Sequence, residues 1–541
     1  METIAAARPR TGLRGNVVDY LLESQTGTRA SRTYLIGPDR TWSYAALVDR
    51  VAQVANALRS LGVKPGERVL FSVVDDIDFP ALFLGAMKIG AIAIPINTYL
   101  KPEDYRYYIA DSEAVAVIAD HTIAPVIAGL RRDLPNLRHL LCARERVAGL
   151  DHCARERVAG LDHLDDILAT QPREADTQPV DPDDMAFWLY SSGSTGSPKG
   201  VVHTGNHIYW ATELFGRGAL DMNENDVVLS PPKMYFAFGL GNQVYFPIRT
   251  GAQVIVNPGP ISADTVWEQW LRHEPTVIMG VPTLFAGLLR LAEDKIGQER
   301  VRRACRNLRF CLSGGEILPA ALLHRWKQFA GVEILDGVGT TEMTHMFIVN
   351  RPGQSVPGSC GKLVNGFRAE IVDDNNVLVK RGDIGNLRMF GPSAAEQYWN
   401  KPETTAEVMG AGGVLTGDKM HQDEDGNFFL VGRSDDMLRV GGIWVSPAEV
   451  ESVIAQHDAV LECAVVGHPD ADEMIKPKAY VVLRDANGSD RGHLDEALRN
   501  HVRERIAHIK CPRWFEFVDE LPKTSTGKIQ RFRLRQQAAA N

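Results

Sequence analysis

The sequence predicts an α/β protein with a large N-terminal domain built of βαβ subdomains, and three observations support this fold class. First, apolar runs of strand length alternate with amphipathic runs of helix length, as at 68–74 then 79–89, and at 276–279 then 283–292. Such alternation indicates βαβ units, in which helices connect parallel strands.

The second and third observations concern the C-terminal part of the chain. Residues 368–431 contain short strand-like runs separated by turn signals, which is typical of a small antiparallel or β-barrel-like layer. After Gly432 the pattern changes to α+β. We therefore expect an N-terminal domain at residues 1–433 and a small α+β C-terminal domain at residues 434–541. The α+β elements are predicted at 447–456 (helix), 461–466 and 479–483 (strands) and 494–506 (helix).

Composition narrows the functional class. The chain has 541 residues, with 59 Lys and Arg against 68 Asp and Glu, and a net charge of −9. A protein whose main partner is a nucleic-acid backbone usually carries a basic excess, so this class is disfavoured. The 7 cysteines contain no CxxC pair, which leaves neither a disulfide framework nor a zinc ribbon.

The sequence contains no segment that predicts a membrane span or a secretion signal. The most apolar stretch, 79–100, is interrupted by Pro80, Lys88 and Pro95, so it lacks the roughly 20 apolar residues of a spanning helix. No apolar segment follows the basic residues of the first 12 positions. We therefore expect a cytoplasmic protein without a membrane partner.

An eleven-residue segment, CARERVAGLDH, occurs at 142–152 and again at 153–163. Two copies are too few for a solenoid, which needs at least three stacked units. We interpret the repeat as a duplication that lengthens a surface loop, because loop-closure entropy grows slowly with length. We expect no dedicated function for it.

The most informative motif is YSSGSTGSPKG at 190–200, which follows a strand-like run at 185–189. Glycines let the backbone approach a polyphosphate, hydroxyls and N–H groups donate to its oxygens, and a lysine adds positive charge. The motif departs from the Walker pattern, and the preceding strand argues against a flexible linker. The predicted phosphate ligands are Ser191, Ser192, Gly193, Ser194, Thr195, Gly196 and Lys199.

This motif resembles the phosphate loop of the adenylate-forming superfamily, which comprises acyl- and aryl-CoA synthetases, adenylation domains of nonribosomal peptide synthetases, and luciferases. The resemblance extends over residues 16–535, and the other motifs follow in the family's order. It implies ATP, Mg²⁺ and coenzyme A as cofactors. It also implies that the C-terminal domain is mobile.

The segment GVGTTEM at 337–343 resembles the second signature of the superfamily. The resemblance implies that Thr341 contacts the α-phosphate and that Glu342 helps to hold Mg²⁺, a cation that prefers carboxylate and phosphate oxygens. Val338 stands where many members have an aromatic residue. The resemblance further assigns to the nucleotide Gly315, Glu316, Asp336, Gly337 and Val338.

Five further positions take their roles from the resemblance. Asp418, in a Thr-Gly-Asp triplet, accepts from the ribose hydroxyls, and Arg433 lies near the ribose. Asp435 is the hinge between the domains, and the pair Gly441 and Gly442 leaves room for the pantetheine arm of CoA in the thioester step.

Lys528, within PKTSTGKIQR at 522–531, matches the last signature. Adenylation brings a carboxylate up to the α-phosphate, and a lysine between these anions stabilises the charge of the transition state. We therefore expect the catalytic residues to be Lys528, Thr341 and Glu342.

The acid that is activated is predicted from MYFAFGLGN at 234–242, which is aromatic, rich in small residues and uncharged, as suits a flat apolar ring. Within the superfamily this stretch most resembles benzoate–CoA ligases. Phe238 and Gly314 stand where those ligases often have tyrosine and alanine, so we expect a roomier pocket that accepts a ring-substituted benzoate. The resemblance assigns to the acyl group Ala237, Phe238, Gly314, Gly339, His345, Met346 and Lys528.

His203 and His207 have the i, i+4 spacing of a zinc pair, but the chain supplies no third ligand and no HExxH glutamate. We expect His203 to pack beside the phosphate loop instead.

The sequence as a whole predicts an AMP-forming aryl-CoA ligase. The enzymatic alternative is a stand-alone adenylation enzyme that loads a carrier protein, and the non-enzymatic alternative is a nucleotide sensor. The ring substituent and the oligomeric state, a homodimer included, stay open.

Overall fold

The computed structural model describes residues 12–143, 160–191, 198–440, 443–470, 474–484, 491–523 and 529–540. These residues divide into two compact units. The first comprises Met1–Ala369 and Met389–Val414, and the second comprises Glu370–Arg388 and Leu415–Asn541. This division follows packing, whereas the boundary expected at residue 433 concerns a hinge, so that boundary stays a prediction.

The described residues form helices and strands in alternation over most of the chain. The α-helices are Val17–Leu22 (α1), Tyr44–Ser60 (α2), Asp78–Lys88 (α3), Pro102–Ser112 (α4), Ala124–Leu130 (α5), Leu164–Ala169 (α6), Gly205–Trp210 (α7), Ala237–Leu240 (α8), Phe246–Thr250 (α9), Ala263–His273 (α10), Pro282–Leu291 (α11), Gln298–Ala304 (α12), Ala320–Ala330 (α13), Pro402–Met409 (α14), Pro447–Ile454 (α15), Arg491–Arg503 (α16) and Arg531–Ala540 (α17). The strands are Thr33–Ile36 (β1), Thr41–Ser43 (β2), Arg68–Ser72 (β3), Ile92–Pro95 (β4), Ala116–Asp120 (β5), His139–Ala143 (β6), Asp162–His163 (β7), Met185–Ser191 (β8), Lys199–Thr204 (β9), Val227–Leu229 (β10), Gln253–Ile255 (β11), Val277–Gly280 (β12), Phe310–Gly314 (β13), Ile334–Gly339 (β14), Met346–Val349 (β15), Lys362–Leu363 (β16), Arg368–Val372 (β17), Gly385–Phe390 (β18), Val414–Gln422 (β19), Phe428–Arg433 (β20), Leu438–Val440 (β21), Ile443–Val445 (β22), Val460–Pro469 (β23), Ile475–Leu483 (β24) and Trp514–Phe517 (β25). Short π-helical segments lie at Ala211–Ala219, Gly241–Tyr245 and Ala292–Ile296.

Two large sheets form the first unit. One has nine strands in the order β16-β15-β14-β13-β12-β10-β11-β1-β2, and its central pairs, from β1–β11 to β13–β14, are parallel. The other has seven strands in the order β7-β6-β5-β3-β4-β8-β9, and only its β8–β9 pair is antiparallel among the pairings described. The predicted βαβ architecture is therefore confirmed.

Helices cover the sheets because their apolar faces need a partner. Helix α10 begins at the N-cap Ser262, whose side chain accepts from Thr265 N. It buries Trp267 and Trp270, whose rings stack with centroids 4.3 Å apart, and the Trp270 indole donates to Ala304 O at 3.2 Å. An indole is buried at little cost when its N–H has an acceptor.

The predicted barrel-like layer is an open sheet. Strands β17, β18, β19 and β20 form a four-stranded sheet in that order, and β19 pairs with β20 in antiparallel register. Because the first and last strands of this order are edges, the described residues form no closed barrel here. The expected layer of short strands is confirmed, with β19–β20 antiparallel, and it is an open sheet and not a closed barrel.

The α+β pattern predicted for the C-terminal region is confirmed. Strands β23, β24 and β25 form a three-stranded sheet, with β23–β24 antiparallel and β24–β25 parallel. Helices α15 and α16 supply Val450, Ile454 and Leu498 to the core beneath this sheet. Within the described ranges, no helix has the length and apolarity that crossing a bilayer demands.

Candidate active site

The two ends of the phosphate-loop motif lie where the chain turns from β8 into β9. Ser191 ends β8, Lys199 begins β9, and the two residues pair in register. Helix α4 anchors both ends of the loop, since Tyr190 Oη donates to Asp111 Oδ2 at 2.7 Å and Tyr107 Oη donates to Pro198 O at 2.8 Å. The other predicted ligands lie outside the described residues: Ser192, Gly193, Ser194, Thr195 and Gly196.

The Glu342 carboxylate follows β14 and lies beside this hairpin. Glu342 Oε1 accepts from Tyr398 Oη at 2.8 Å and from Ser191 Oγ at 3.4 Å. Lys199 Nζ lies 4.8 Å from the centre of the Tyr398 ring. A carboxylate, a hydroxyl and an ammonium group from three parts of the chain thus share one region of the first unit.

A tight turn joins Glu342 to the acyl-pocket residues. Thr344 is buried and has a φ of 67°, in the left-handed region that costs a non-glycine residue about 1–2 kcal/mol. Thr344 Oγ1 donates to Ser393 O at 2.8 Å, and Ser393 Oγ donates to Met343 O at 2.9 Å. Ala395 N donates to Glu342 O at 2.7 Å. The segment around residue 395 therefore holds this turn in its strained conformation.

The predicted nucleotide residues lie at the carboxyl ends of two neighbouring parallel strands. Gly314 on β13 is in register with Gly337 on β14, and Ser313 with Asp336. Burial raises the pKa of Asp336 to about 8, so its carboxyl is largely protonated at neutral pH. Among the residues that the structure describes, three buried side-chain oxygens here have no hydrogen-bond partner: Ser313 Oγ, Asp336 Oδ1 and Thr340 Oγ1.

Glu316 lies beside the start of α11, and its assignment to the nucleotide stays a prediction. Its Oε2 accepts from Thr283 N, at the start of α11, at 3.4 Å. Gly315, its neighbour, has a φ of 85°, which favours glycine and turns the chain away from β13.

The His345 ring is enclosed by aromatic side chains. Its centroid lies 4.8 Å from that of Phe215, 4.7 Å from that of Phe246 and 5.6 Å from that of Phe238. Burial lowers the pKa of His345 to about 3, so the imidazole is neutral at physiological pH. The surroundings of His345 in the first unit are therefore aromatic and uncharged.

Glycines let His345 and Met346 approach the backbone closely. A Cβ at Gly339 would lie 2.7 Å from His345 O, and a Cβ at Gly241 would lie 2.8 Å from His345 Nε2. A Cβ at Gly314 would overlap the Met346 methyl group. Met346 therefore fills the volume that Gly314 leaves empty, and the expectation of extra room at position 314 is wrong.

A buried ion pair fixes the turn that leads into α8, where Ala237 and Phe238 lie. Lys233 Nζ lies 3.4 Å from Asp75 Oδ2, and both side chains are buried. Lys233 Nζ also donates to Asn257 O at 2.6 Å. Asp75 follows β3 and Asn257 follows β11, so this lysine links loops from the two large sheets at the edge where Phe238 lies.

His203 and His207 pack inside the protein. The His203 ring stacks on Phe187 at 4.8 Å, and its Nδ1 lies 3.2 Å from His207 Nδ1. Burial lowers the pKa of His203 to about 3. Within the described ranges, no three His, Cys, Asp or Glu side chains form a group that could hold a metal ion.

In the second unit, Asp418 and Arg433 face each other across the β19–β20 pair. Arg433 Nη1 donates to Asp418 Oδ1 at 2.9 Å and to Thr416 O at 2.8 Å. Asp435 O accepts from Arg535 Nη1 at 3.4 Å. Three predicted site residues lie outside the described residues: Gly441, Gly442 and Lys528.

Comparison with known proteins places this geometry in a family. Residues 22–399 match the family described as AMP-binding enzyme, and residues 449–528 match the AMP-binding enzyme C-terminal domain. The chain belongs to the AMP-binding enzyme family. It is 43% identical to a benzoate–CoA ligase of Thauera aromatica over 526 residues, which cover 96% of each chain.

Two solved structures resemble this chain along nearly their whole length. An anthranilate CoA ligase in complex with anthranoyl-AMP has a TM-score of 0.88 and 39% identity, with 97% of each chain covered. A benzoate CoA ligase from Burkholderia xenovorans has a TM-score of 0.84 and 38% identity, with 96% of this chain and 99% of that chain covered.

Sequence reasoning missed several residues of the site in this AMP-binding enzyme. Tyr398 contacts Glu342 from 56 positions away, and Phe215 and Phe246 enclose His345 from separate helical segments. Lys233 had no motif to single it out. The aromatic residues of these segments have the spacing of ordinary core residues, so only the folded chain identifies them.

We predict that Gly314→Ala destabilises the protein by about 1–3 kcal/mol, because the new Cβ overlaps the Met346 methyl group. Adding Met346→Ile, which removes that methyl, should restore most of the loss. Urea unfolding followed by tryptophan fluorescence measures both changes. Gly129→Ala is the comparison variant: nothing lies within 4 Å of a Cβ there, and because Gly129 lies in α5 the change should stabilise the protein by about 0.5–1 kcal/mol. A single variant as stable as the control would contradict the overlap.

We predict that the free energy of unfolding decreases as the pH is lowered below 6.5, because His203 and His345 are buried in the neutral form. Their pKa is lowered from 6.5 to about 3, so between these values the unfolded chain binds protons that the folded chain does not. Each contributes a loss of about 1.4 kcal/mol per pH unit within that window. His345→Phe should reduce the slope of unfolding free energy between pH 6 and 5 by that amount. An unchanged slope would show that His345 titrates in the folded protein.

Proposed function

We propose that this AMP-binding enzyme is an ATP-dependent aryl-CoA ligase. It activates benzoate or a substituted benzoate as an acyl-adenylate and then forms the CoA thioester, releasing AMP and pyrophosphate. One turn carries the proposal. It contains Glu342, whose carboxylate lies beside Ser191, and three positions later His345, whose ring lies among phenylalanines. Groups suited to a phosphate and to an aromatic ring are thus neighbours in the first unit.

The residues at the loop end of this turn fit a nucleotide and Mg²⁺. A magnesium ion binds carboxylate and phosphate oxygens and keeps several waters. One carboxylate with hydroxyl groups nearby meets this requirement. Glu342 would hold the ion, which when bound neutralises phosphate charge. Ser191, Thr341 and Lys199 would hold the phosphates. Thr340 Oγ1 is buried without a partner in the described part of the chain, which supports a polar ligand at this position.

The remaining nucleotide assignments rest on the family resemblance together with local geometry. Adenine would lie against Gly315, Asp336 and Val338, where a protonated Asp336 has a proton to donate. The ribose would bind Asp418 and Arg433, whose side chains are already paired. The pairing orients the Asp418 carboxylate: one oxygen accepts from Arg433, and the other would accept from a ribose hydroxyl.

Two chemical steps follow from the assigned roles. In the first, Lys528 stabilises charge between the acid carboxylate and the α-phosphate, and the carboxylate oxygen displaces pyrophosphate. In the second, the C-terminal domain, residues 434–541, turns about Asp435 and the CoA thiol displaces AMP from the acyl carbon. Gly441 and Gly442 leave room for the pantetheine arm in that step. A polar segment beside glycines suits a hinge.

The acid binds in a pocket without charge. Ala237, Phe238, Gly339, His345 and Met346 surround the acyl group, and the neutral imidazole offers no ion pair to a second carboxylate. This favours a monocarboxylic aromatic acid. The similarity to a structure that holds anthranoyl-AMP supports acceptance of a ring substituent.

A basic cavity in the second unit supports free CoA as the acceptor. The cavity has a volume of about 250 Å³, and basic side chains dominate its polar lining. Such a cavity suits phosphate groups, which CoA carries at its nucleotide end. The carrier-protein alternative remains an outcome of the assay below. The basic lining residues are Lys476, Arg499, Arg503, His508 and Arg513.

A cytoplasmic location and a homodimer stay predictions.

We predict that ATP is converted to AMP and pyrophosphate only when an aromatic acid is present, and that free CoA speeds the release of AMP. The assay compares benzoate, amino- and hydroxybenzoates, and cyclohexanecarboxylate as a non-aromatic acid of similar size. Turnover of benzoate alone would contradict the substituted-ring part of the proposal. An adenylate that CoA does not discharge would favour the carrier-protein enzyme, and no acid-dependent pyrophosphate would favour a sensor.

We predict that Lys528→Ala lowers the rate of adenylation by about 100- to 1,000-fold, because it removes charge stabilisation in that transition state. Thioester formation from supplied benzoyl-AMP and CoA should persist. Lys523→Ala is the matched control, since Lys523 pairs with Glu462 at 2.6 Å and has no assigned role. An equal loss of both half-reactions would contradict the rearrangement of the C-terminal domain.

A further inference from the structure

We propose that Tyr398 is a positioning residue for the phosphate end of the site: its hydroxyl orients the Glu342 carboxylate toward Mg²⁺, and its ring supports Lys199. The inference rests on the proposed function and names a residue that the family motifs did not single out. Its basis is a pair of Tyr398 contacts, one through its hydroxyl and one through its ring.

The hydroxyl contact is short and directed at one carboxylate oxygen. Tyr398 Oη donates to Glu342 Oε1 at 2.8 Å, whereas the Ser191 hydroxyl reaches the same atom at 3.4 Å. Donors held on one oxygen fix the rotation of a carboxylate and leave the other oxygen for a ligand. Groups that hydrogen-bond a metal ligand set its orientation, and their loss typically lowers metal affinity 10- to 100-fold.

The ring contact connects the same residue to the phosphate loop. Lys199 Nζ lies 4.8 Å from the ring centre, within the range of a cation–π interaction. Lys199 is the first residue of β9, so the ring limits where its ammonium group reaches beyond the hairpin. Tyr398 therefore contacts both the residue assigned to Mg²⁺ and a residue assigned to phosphate.

The backbone around Tyr398 explains how the ring is held. The Tyr398 side chain is 3% exposed. Val202 N donates to Gln397 O at 3.1 Å and Trp399 N donates to Gly200 O at 2.8 Å, so the segment extends the β9 edge. Its position does not depend on the hydroxyl. Removing the hydroxyl alone should leave the backbone, the ring and the Lys199 contact in place.

The test measures ATP binding in the absence of acid and CoA, by isothermal titration calorimetry over a series of Mg²⁺ concentrations. For Tyr398→Phe we expect the Mg²⁺ concentration at half-maximal ATP affinity to rise about 10-fold, with the affinity at saturating Mg²⁺ unchanged. For Tyr398→Leu, which also loses the ring, we expect a further loss of about 3-fold in ATP affinity even at saturating Mg²⁺.

Two controls separate positioning from packing. Tyr20→Phe removes a comparable bond, in which Tyr20 Oη donates to Glu213 Oε1 at 2.5 Å, and should leave the Mg²⁺ dependence unchanged. In a Glu342→Gln background, Tyr398→Phe should add no further shift, because its effect acts through that carboxylate.

The inference is overturned if Tyr398→Phe binds ATP with the wild-type Mg²⁺ dependence, or if it weakens ATP binding equally at every Mg²⁺ concentration. It is also overturned if the Tyr398→Phe shift persists in full without the Glu342 carboxylate. Failure of the proposed function is a different result, in which the wild-type enzyme releases no pyrophosphate with any aromatic acid.

Discussion

The turn between β14 and β15 is the constraint on which the site depends. It contains Glu342 and ends at His345, so the phosphate end and the acyl end of the site are joined by a few residues whose conformation is strained at Thr344. Strain of this kind persists only when the surroundings hold it. Here the segment at 393–398 supplies backbone and side-chain hydrogen bonds to residues 342–344. The Thr344 hydroxyl also lies 3.3 Å from His203 Nδ1.

Close packing at glycines explains the form of the predicted acyl pocket. At Gly339 and Gly241 the backbone approaches His345 so closely that a side chain would collide with it. The ring is thereby pressed into a cage of phenylalanines. At Gly314 the same absence of a side chain serves a different purpose, because Met346 occupies the space. Interiors are packed to nearly crystalline density, so a missing methyl is filled by a neighbour and does not by itself enlarge a pocket.

Burial determines the charges at the site more than the net charge of −9 does. His345 is held neutral and Asp336 is held largely protonated at neutral pH, since both lie in a low-dielectric interior. The charged groups are instead Glu342 and Lys199, at the phosphate end. A neutral acyl pocket next to a charged phosphate region matches an aromatic carboxylate that must become an adenylate.

The sequence by itself determined the fold class and the order of the motifs, because strand and helix periodicity and glycine-rich loops are local signals. It also placed Glu342 and His345 near each other, since both belong to one turn. Only the tertiary structure brought Tyr398 to Glu342 and Lys233 to Asp75, filled the space at Gly314 with Met346, and left the predicted barrel layer open. These contacts join residues far apart in the chain, and long-range packing has no counterpart in local propensity.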